Sequence, residues 1–378
     1  MEGFDTYDDL LDVVASSGKE TRTLGYAPGG RPIVAVRMGG NKQPAVLITA
    51  GAHATEHAGV CAAVELIESL ETDHEVWIIP TRDPVGVDGF DAALSLSFDH
   101  TEAVGTADEA KAVLATEGDV IHETHDLTVG LIGDYAYAVS PLEDGGGVSI
   151  LQRFKEYTET NPAVLDQLAG RRVFTTAGDD AIDAADPFER TYTLIVDPSG
   201  LPLHLNRFFT NEWAPPETRA VRRLMVEIEP GLTFDNHETS GHEDRFHVSL
   251  RPQRTAAGDD REKQVGVAIS SAVEDRGSEL ATDEDVLATP TSTVAEADDD
   301  ERPEDGFYSR AGPGAYWVDP NLTDPPRLGE GLNATDYAAE QYGLAFTLET
   351  GMYGSLARRV NDAITSVQAG VAEFETLY

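Results

Sequence analysis

Four segments carry residues whose types and spacing could do chemistry. In "FDNHETSGHEDRFH", residues 234–247, three histidines stand among acidic side chains within fourteen positions. A zinc-protease helix needs its two histidines four apart on one face. His237 and His242 are five apart, and five helical residues advance by about 500°, which turns the two rings onto divergent faces. Gly241 and the lack of an apolar stripe also argue against a helix. The segment therefore reads in one of two ways: as the source of one histidine, His237, that completes a site begun elsewhere, or as a polar loop of solvated histidines.

The second segment, "VLITAGAHATEH", sets His53 and Glu56 three apart just after an apolar run. From a turn or a first helical turn an imidazole and a carboxylate so spaced can reach one ion, and zinc accepts such nitrogen and oxygen donors. His57 is a rival donor, but adjacent side chains on a helix diverge by about 100°, which makes it a packing residue or a partner to a ligand. The third, "LPLHLNRFF", places Asn206 and Arg207 among apolar residues. A guanidinium beside an amide suits bidentate capture of a carboxylate; a structural ion pair is the competing use in so acidic a chain. The fourth, "LAFTLETG", puts Glu349 inside an apolar run. A carboxylate there is costly unless it has a partner or a task, and its pKa rises. Serving as general base for water is such a task. His122 and His125 in "IHETHD" lie in a polar stretch and make a weaker candidate pair. Neither a nucleophile elbow, a P-loop nor a dinucleotide-binding glycine pattern occurs in the chain.

Three of these segments are joined to strand-like runs that must position them. "PAVLITAGA" (44–52) and "EVWIIPT" (75–81) are continuous apolar stretches of the kind buried on both faces of a sheet, and between them Val60, Val64 and Ile67 share one face of a helix. "RPIVAVRM" alternates at period two after a Pro-Gly-Gly turn. Val221, Leu224, Met225 and Ile228 mark a helix before the strand "LTFDNHE", and "YGLAFTLETG" (342–351) is a last buried strand. Residues 5–15 read as a short helix. Ser355 is placed to cap a final helix whose stripe is Leu356, Val360, Ile364, Val367 and Val371. The expected fold is a single α/β domain spanning 1–378, with a central mixed, mostly parallel twisted β-sheet flanked by helices. Insertions are expected at about 91–200, where no pattern emerges, and about 250–306, where acid, Ser, Thr and Ala suggest an exposed excursion.

Composition bounds the partners. Asp and Glu number 68 against 27 Lys and Arg, for a formal net charge of −41. Self-repulsion on that scale is tolerable where salt shortens the Debye length to about 3 Å near 1 M, so a halophilic source, an archaeon, is expected. Nucleic acid and anionic membrane are excluded as partners on the same ground. No apolar run approaches the roughly 20 residues needed to cross a bilayer, and the acidic start "MEGFDTYDDLLDVV" lacks a signal-peptide core, giving a cytoplasmic expectation. Cys61 is the only cysteine, which excludes intrachain disulfides and thiolate metal clusters.

Taken in chain order, His53-x-x-Glu56, Leu205-Asn206-Arg207, the strand-end His237 and the late Glu349 resemble the zinc metallocarboxypeptidases. "GYAPGGRPIVAVRMGG" looks like that family's N-terminal opening, and "PPETRAV" like its helix start before the third ligand. The resemblance covers about 60% of the chain. It implies one zinc ion per chain on His53, Glu56 and His237, Glu349 as general base, and Asn206 with Arg207 holding a substrate carboxylate. The implied activity is hydrolysis of a C-terminal peptide bond. The related succinylglutamate desuccinylases and aspartoacylases match "LNRFF" and "LETG" equally well, so an N-acyl amino acid is the alternative substrate. A non-catalytic binding member of the fold is a third reading. Departures from the family pattern are His204, where the family has an acid before Leu-Asn-Arg, and "TRDPVGVDGF" in place of an Asn-Pro-Asp-Gly segment. The sequence assigns neither the carbonyl-polarising arginine, for which Arg82 is a candidate, nor the capping tyrosine, for which Tyr308 and Tyr316 are.

Overall fold

The computed structural model describes residues 4–99, 103–141, 147–176, 189–239, 244–287, 308–318 and 331–378. Alternating polar and apolar runs in the first eighty residues become four strands: β1 (Glu20–Tyr26), β2 (Pro32–Gly39), β3 (Lys42–Thr49) and β4 (His74–Ile79). The region from which no pattern emerged in sequence supplies β5 (Asp119–Glu123), β6 (Thr128–Ile132), β7 (Tyr135–Val139), β8 (Arg172–Thr176), β9 (Tyr192–Val196) and β10 (Pro202–His204). The last third adds β11 (Leu232–Thr239), β12 (Phe246–Leu250), β13 (Tyr308–Gly312), β14 (Ala315–Val318) and β15 (Leu344–Gly351).

Among the described residues these strands form two sheets. One runs β1-β2-β4-β3-β11-β15-β12-β14-β13, the other β10-β9-β8-β7-β6-β5. The chain is a single α/β domain with mixed sheets flanked by helices, as expected. Parallel pairing is narrower than expected: in the first sheet it joins β4, β3, β11 and β15 in the centre and β12 to β14, in the second only β7 to β8, while the remaining neighbours are antiparallel. The central strands carry near-continuous apolar runs because helices cover both faces.

On one face, Phe234 and Phe346 stack at 5.9 Å between ring centres. Helices His57–Ser69, Ala256–Asp275 and Leu356–Leu377 close over them. On the other, Leu47, Trp77 and Ala345 meet helices Pro216–Ile228 and Ala334–Gln341. The final helix begins as expected, with the Ser355 side chain accepting from the Arg358 N–H. The exposed excursion expected from about 252 does not hold for Ala256–Asp275. That helix buries Glu262, Val265, Ile269 and Val273. Its buried residues recur at three- and four-residue spacing with the acidic Glu262 among them, a pattern that composition alone does not register. Residues 288–306 lie outside the described residues.

Strand β11 delivers the central histidine. Its side chains alternate, so Leu232 and Phe234 join the helix-covered core while Asp235 and His237 point to the opposite face. Helix His57–Ser69 crosses β11 closely at Gly59, where a Cβ would lie 2.9 Å from that of Asn236. Any larger residue there would push the helix, and Glu56 at its start, away from the strand.

Candidate metal centre

His53 sits in the turn after β3, and Glu56 ends that turn as the residue preceding helix His57–Ser69. The Glu56 N–H bonds the His53 carbonyl at 3.2 Å, which folds the two side chains toward one point. His237 reaches the same point from β11, about 180 residues later in the chain but paired in parallel with β3. The Glu56 carboxylate spans both rings: Oε1 lies 2.5 Å from His53 Nδ1 and Oε2 2.7 Å from His237 Nδ1. The three side chains are buried, and their donor atoms all fall within 4.8 Å of one another.

The electrostatics follow from that triangle. Burial pushes the Glu56 carboxyl up, but the two imidazoles outweigh it and hold the pKa at about 2. Burial lowers His53, only partly offset by Glu56. Burial also lowers His237, yet Asp235 and Glu56 together hold it well above the usual imidazole value. Two imidazole nitrogens aimed at one carboxylate thus form a pocket that needs positive charge, supplied either by protons or by a cation.

Each ring is also engaged on its far side. His237 Nε2 lies 2.9 Å from Asp235 Oδ2. Asp235 in turn takes both oxygens to Arg82 Nη2, at 2.8 and 2.7 Å, and accepts from Thr49 at 2.7 Å. His53 Nε2 lies 2.7 Å from His204 Nδ1, and the Tyr192 ring stacks on His53 at 4.7 Å. His204 ends β10 and Tyr192 opens β9. The second sheet therefore walls the site.

The other residues named from sequence are distributed as follows. Glu349 on β15 pairs directly with His237 on one side and with His247 of β12 on the other, so all three share a face at one level of the sheet. Burial raises Glu349 to about 8, with Glu56 and Asp235 adding to the rise against His237. Asn206 is buried with its amide committed inward. Its Oδ1 accepts from Arg82 Nη1 at 3.0 Å and from the Ala334 N–H at 3.1 Å, and its Nδ2 donates to Asp235 at 3.2 Å. Arg207 is half-buried in the turn Leu205–Arg207 and donates to the Asn206 carbonyl at 3.1 Å. Glu238 faces the helix-covered side of β11, where it accepts from the Ala58 N–H at 2.8 Å and pairs with Arg359. His57 turns away as well, toward Phe4 and Cys61. His122 bonds the Tyr157 hydroxyl at 2.8 Å, and His125 is exposed. His242 lies outside the described residues.

Sequence reasoning missed Asp235 and Tyr192 and left Arg82 unassigned. Asp235 was findable, because a strand puts residues two apart on one face and so sets it beside His237. Nothing local marks Tyr192 or the ion pair of Arg82.

The donor set suits a metal ion: two neutral-capable imidazole nitrogens and a carboxylate, the nitrogen and oxygen ligands zinc prefers, with each ring's far nitrogen held by a hydrogen-bond partner. No protein-family model and no curated protein matches the chain. Solved structures do. A metallo-carboxypeptidase from Burkholderia cenocepacia aligns at a TM-score of 0.50 with 12% identity, over 98% of this chain and 69% of that one. A metallo-carboxypeptidase from Pseudomonas aeruginosa, in complex with (2-guanidinoethylmercapto)succinic acid, aligns at 0.48 with 13% identity, over 98% and 69%. Bovine thrombin-activatable fibrinolysis inhibitor, in complex with tick carboxypeptidase inhibitor, aligns at 0.47 with 10% identity, over 100% and 99%. At such identities the likeness to the Burkholderia protein shows the fold alone: this chain has the α/β fold of a metallo-carboxypeptidase. Among the described residues no helix is long and apolar enough to cross a membrane.

Proposed function

We propose that this chain is a zinc-dependent metallocarboxypeptidase acting on peptides with a free C-terminal carboxylate. The observation that carries the reading is the Glu56 carboxylate set between the Nδ1 atoms of His53 and His237, with Glu349 in register beside His237. His53, Glu56 and His237 would hold one zinc ion, which supplies Lewis-acid charge to acidify water and polarise a carbonyl. Burial and neighbouring charges, with no hydrogen bond, set the titration of the Glu349 side chain. Its place in register beside His237 suits a group that takes a proton from attacking water and passes it to the leaving amine. Arg207 is the proposed anchor for the substrate carboxylate. Asn206, proposed from sequence to share that task, has its amide engaged with Arg82, the Ala334 N–H and Asp235, and would instead hold Arg82 and Asp235 in place behind His237.

The experiment is a panel of peptides with free and amidated C-termini, together with small N-acyl amino acids, assayed with and without zinc. Zinc-dependent release of a free terminal amino acid, lost on amidation, is the expected result. Turnover of the acylated amino acids alone would assign the deacylase activity instead. No turnover of either class would leave a binding member of the fold.

A further inference from the structure

We propose that Glu238 and Arg359 form a buried clamp behind the triangle that fixes the start of helix His57–Ser69, and through it the place of Glu56. Both are positioning residues. The inference rests on the reading of His53, Glu56 and His237 as a metal site, and concerns what holds that site in shape.

The start of the helix shows the need for such a clamp. The first N–H groups of a helix lack partners within it, and the residue at the capping position commonly supplies an acceptor from its own side chain. Glu56 occupies that position, but its carboxylate is turned to the rings of His53 and His237 and makes no cap. The first turn of the helix carries no acidic residue either, so its positive end is not balanced from within. The side chain that would cap the helix belongs to the site instead.

Glu238 supplies from β11 what the helix lacks. It follows His237 directly in the chain, and alternation along the strand sends it to the helix-covered face, away from the triangle. There its Oε2 accepts from the Ala58 N–H at 2.8 Å. The close approach of helix and strand at Gly59 brings that N–H within reach.

Arg359 holds the carboxylate in this orientation. It projects from the first turn of helix Leu356–Leu377, is 4% exposed, and pairs through Nη1 with Glu238 Oε1, which leaves Oε2 to the helix start. Its Nε donates to the Gly354 carbonyl at 3.0 Å, in the turn after β15. The clamp thus ties together the helix that begins beside Glu56, the strand that carries His237 and the chain just beyond Glu349. A carboxylate engaged at both oxygens by charge-assisted and backbone bonds has little freedom to turn. Partners that orient metal ligands in this way alter metal affinity by about 10- to 100-fold when removed.

Two readouts test the clamp: amide hydrogen exchange at Ala58 in the metal-free protein, and zinc affinity by competition with a chromophoric chelator. Glu238→Ala is expected to speed exchange at Ala58 by about 10-fold or more and to weaken zinc binding by about 10- to 100-fold. Glu238→Gln removes the charge but keeps the length and an acceptor oxygen, so both readouts should stay within a few-fold. Arg359→Met should weaken zinc binding by about 10-fold alone and add nothing in the Glu238→Ala background, because it acts on Glu56 only through Glu238. Val371→Ala, in the buried far half of the same helix, lowers stability without touching the clamp and should leave zinc affinity unchanged.

Unchanged exchange at Ala58 in Glu238→Ala, or faster exchange with zinc bound as tightly as before, overturns the proposal and leaves the metal site standing. So does a loss in Glu238→Gln equal to that in Glu238→Ala, which would make charge alone the cause, or an equal loss in Val371→Ala. An additive loss in the double variant removes Arg359 from the clamp. If the unsubstituted protein takes up no zinc, the metal-site reading itself fails and this inference with it. Should Glu238→Ala not fold, Glu238→Asp, whose carboxylate falls one methylene short of the Ala58 N–H, replaces it with the same expectations.

Discussion

Removing the Arg82 guanidinium isolates one contribution to the site's architecture. Arg82 is 3% exposed and Asp235 fully buried, and the two meet through both carboxylate oxygens. Arg82→Met leaves Asp235 with Thr49, Asn206 and His237 as donors but with no permanent positive charge beside it. Breaking a buried pair from one side costs about 3–5 kcal/mol, because the remaining charge stays desolvated. Asp235→Asn strands the guanidinium in the same way. The double variant removes both charges and is expected to cost no more than either single change. The coupling between the two positions is then at least about 3 kcal/mol, at the upper end for contacting residues. Urea unfolding in the presence of a chelator gives each value free of any metal contribution, from midpoints at a common slope. The coupling should persist in molar KCl, since a pair without solvent contact escapes the screening that weakens surface charges. Single variants each costing under about 1 kcal/mol, or costs that simply add, would refute the account of Arg82 as the neutralising partner of Asp235.

Glu349→Gln keeps shape and removes the base, so hydrolysis should fall by about 100- to 10,000-fold while zinc content, measured by elemental analysis, is unchanged. Free zinc at about 100 times its dissociation constant should stabilise the protein by about 2.7 kcal/mol, seen as a raised melting temperature, and His237→Ala should abolish that gain. Asp83, which caps helix Pro84–Val87 through the Gly86 N–H, is raised by burial from 3.8 to about 6. The folded state holds its proton more tightly than the unfolded chain, so this group's contribution is full below pH 3.8 and is lost as pH rises through about 6. Asp83→Asn, which keeps the cap, should therefore gain up to about 3 kcal/mol over the unsubstituted protein at pH 8 and little at pH 4, as measured by denaturant unfolding at the two pH values.

What the sequence by itself determined was local. Apolar runs of strand length marked β3, β4 and β15, because strands buried on both faces are largely apolar, and the helix stripe ending at Ile228 marked β11 as the strand after it. The spacing of His53 and Glu56 and the failure of the five-residue gap after His237 followed from helix and strand geometry alone. The charge of −41 was likewise explicit. Only the tertiary structure decided what lies next to what. The parallel pairing of β3, β11 and β15 brings Glu56, His237 and Glu349 together from nearly 300 residues of chain. Period-two alternation sends Glu238 toward helices His57–Ser69 and Leu356–Leu377 and His237 to the face walled by the second sheet, so adjacent residues in "NHE" have unrelated surroundings. The second sheet, with no continuous apolar run long enough to announce it, supplies Tyr192 and His204 against His53. Such contacts join segments far apart in the chain, and no periodicity within a segment encodes them. They depend on which sheet edges and faces meet when both cores close. "FDNHETSGHEDRFH" is legible as a strand end; that His237 is set against Glu56 is a property of the folded sheet.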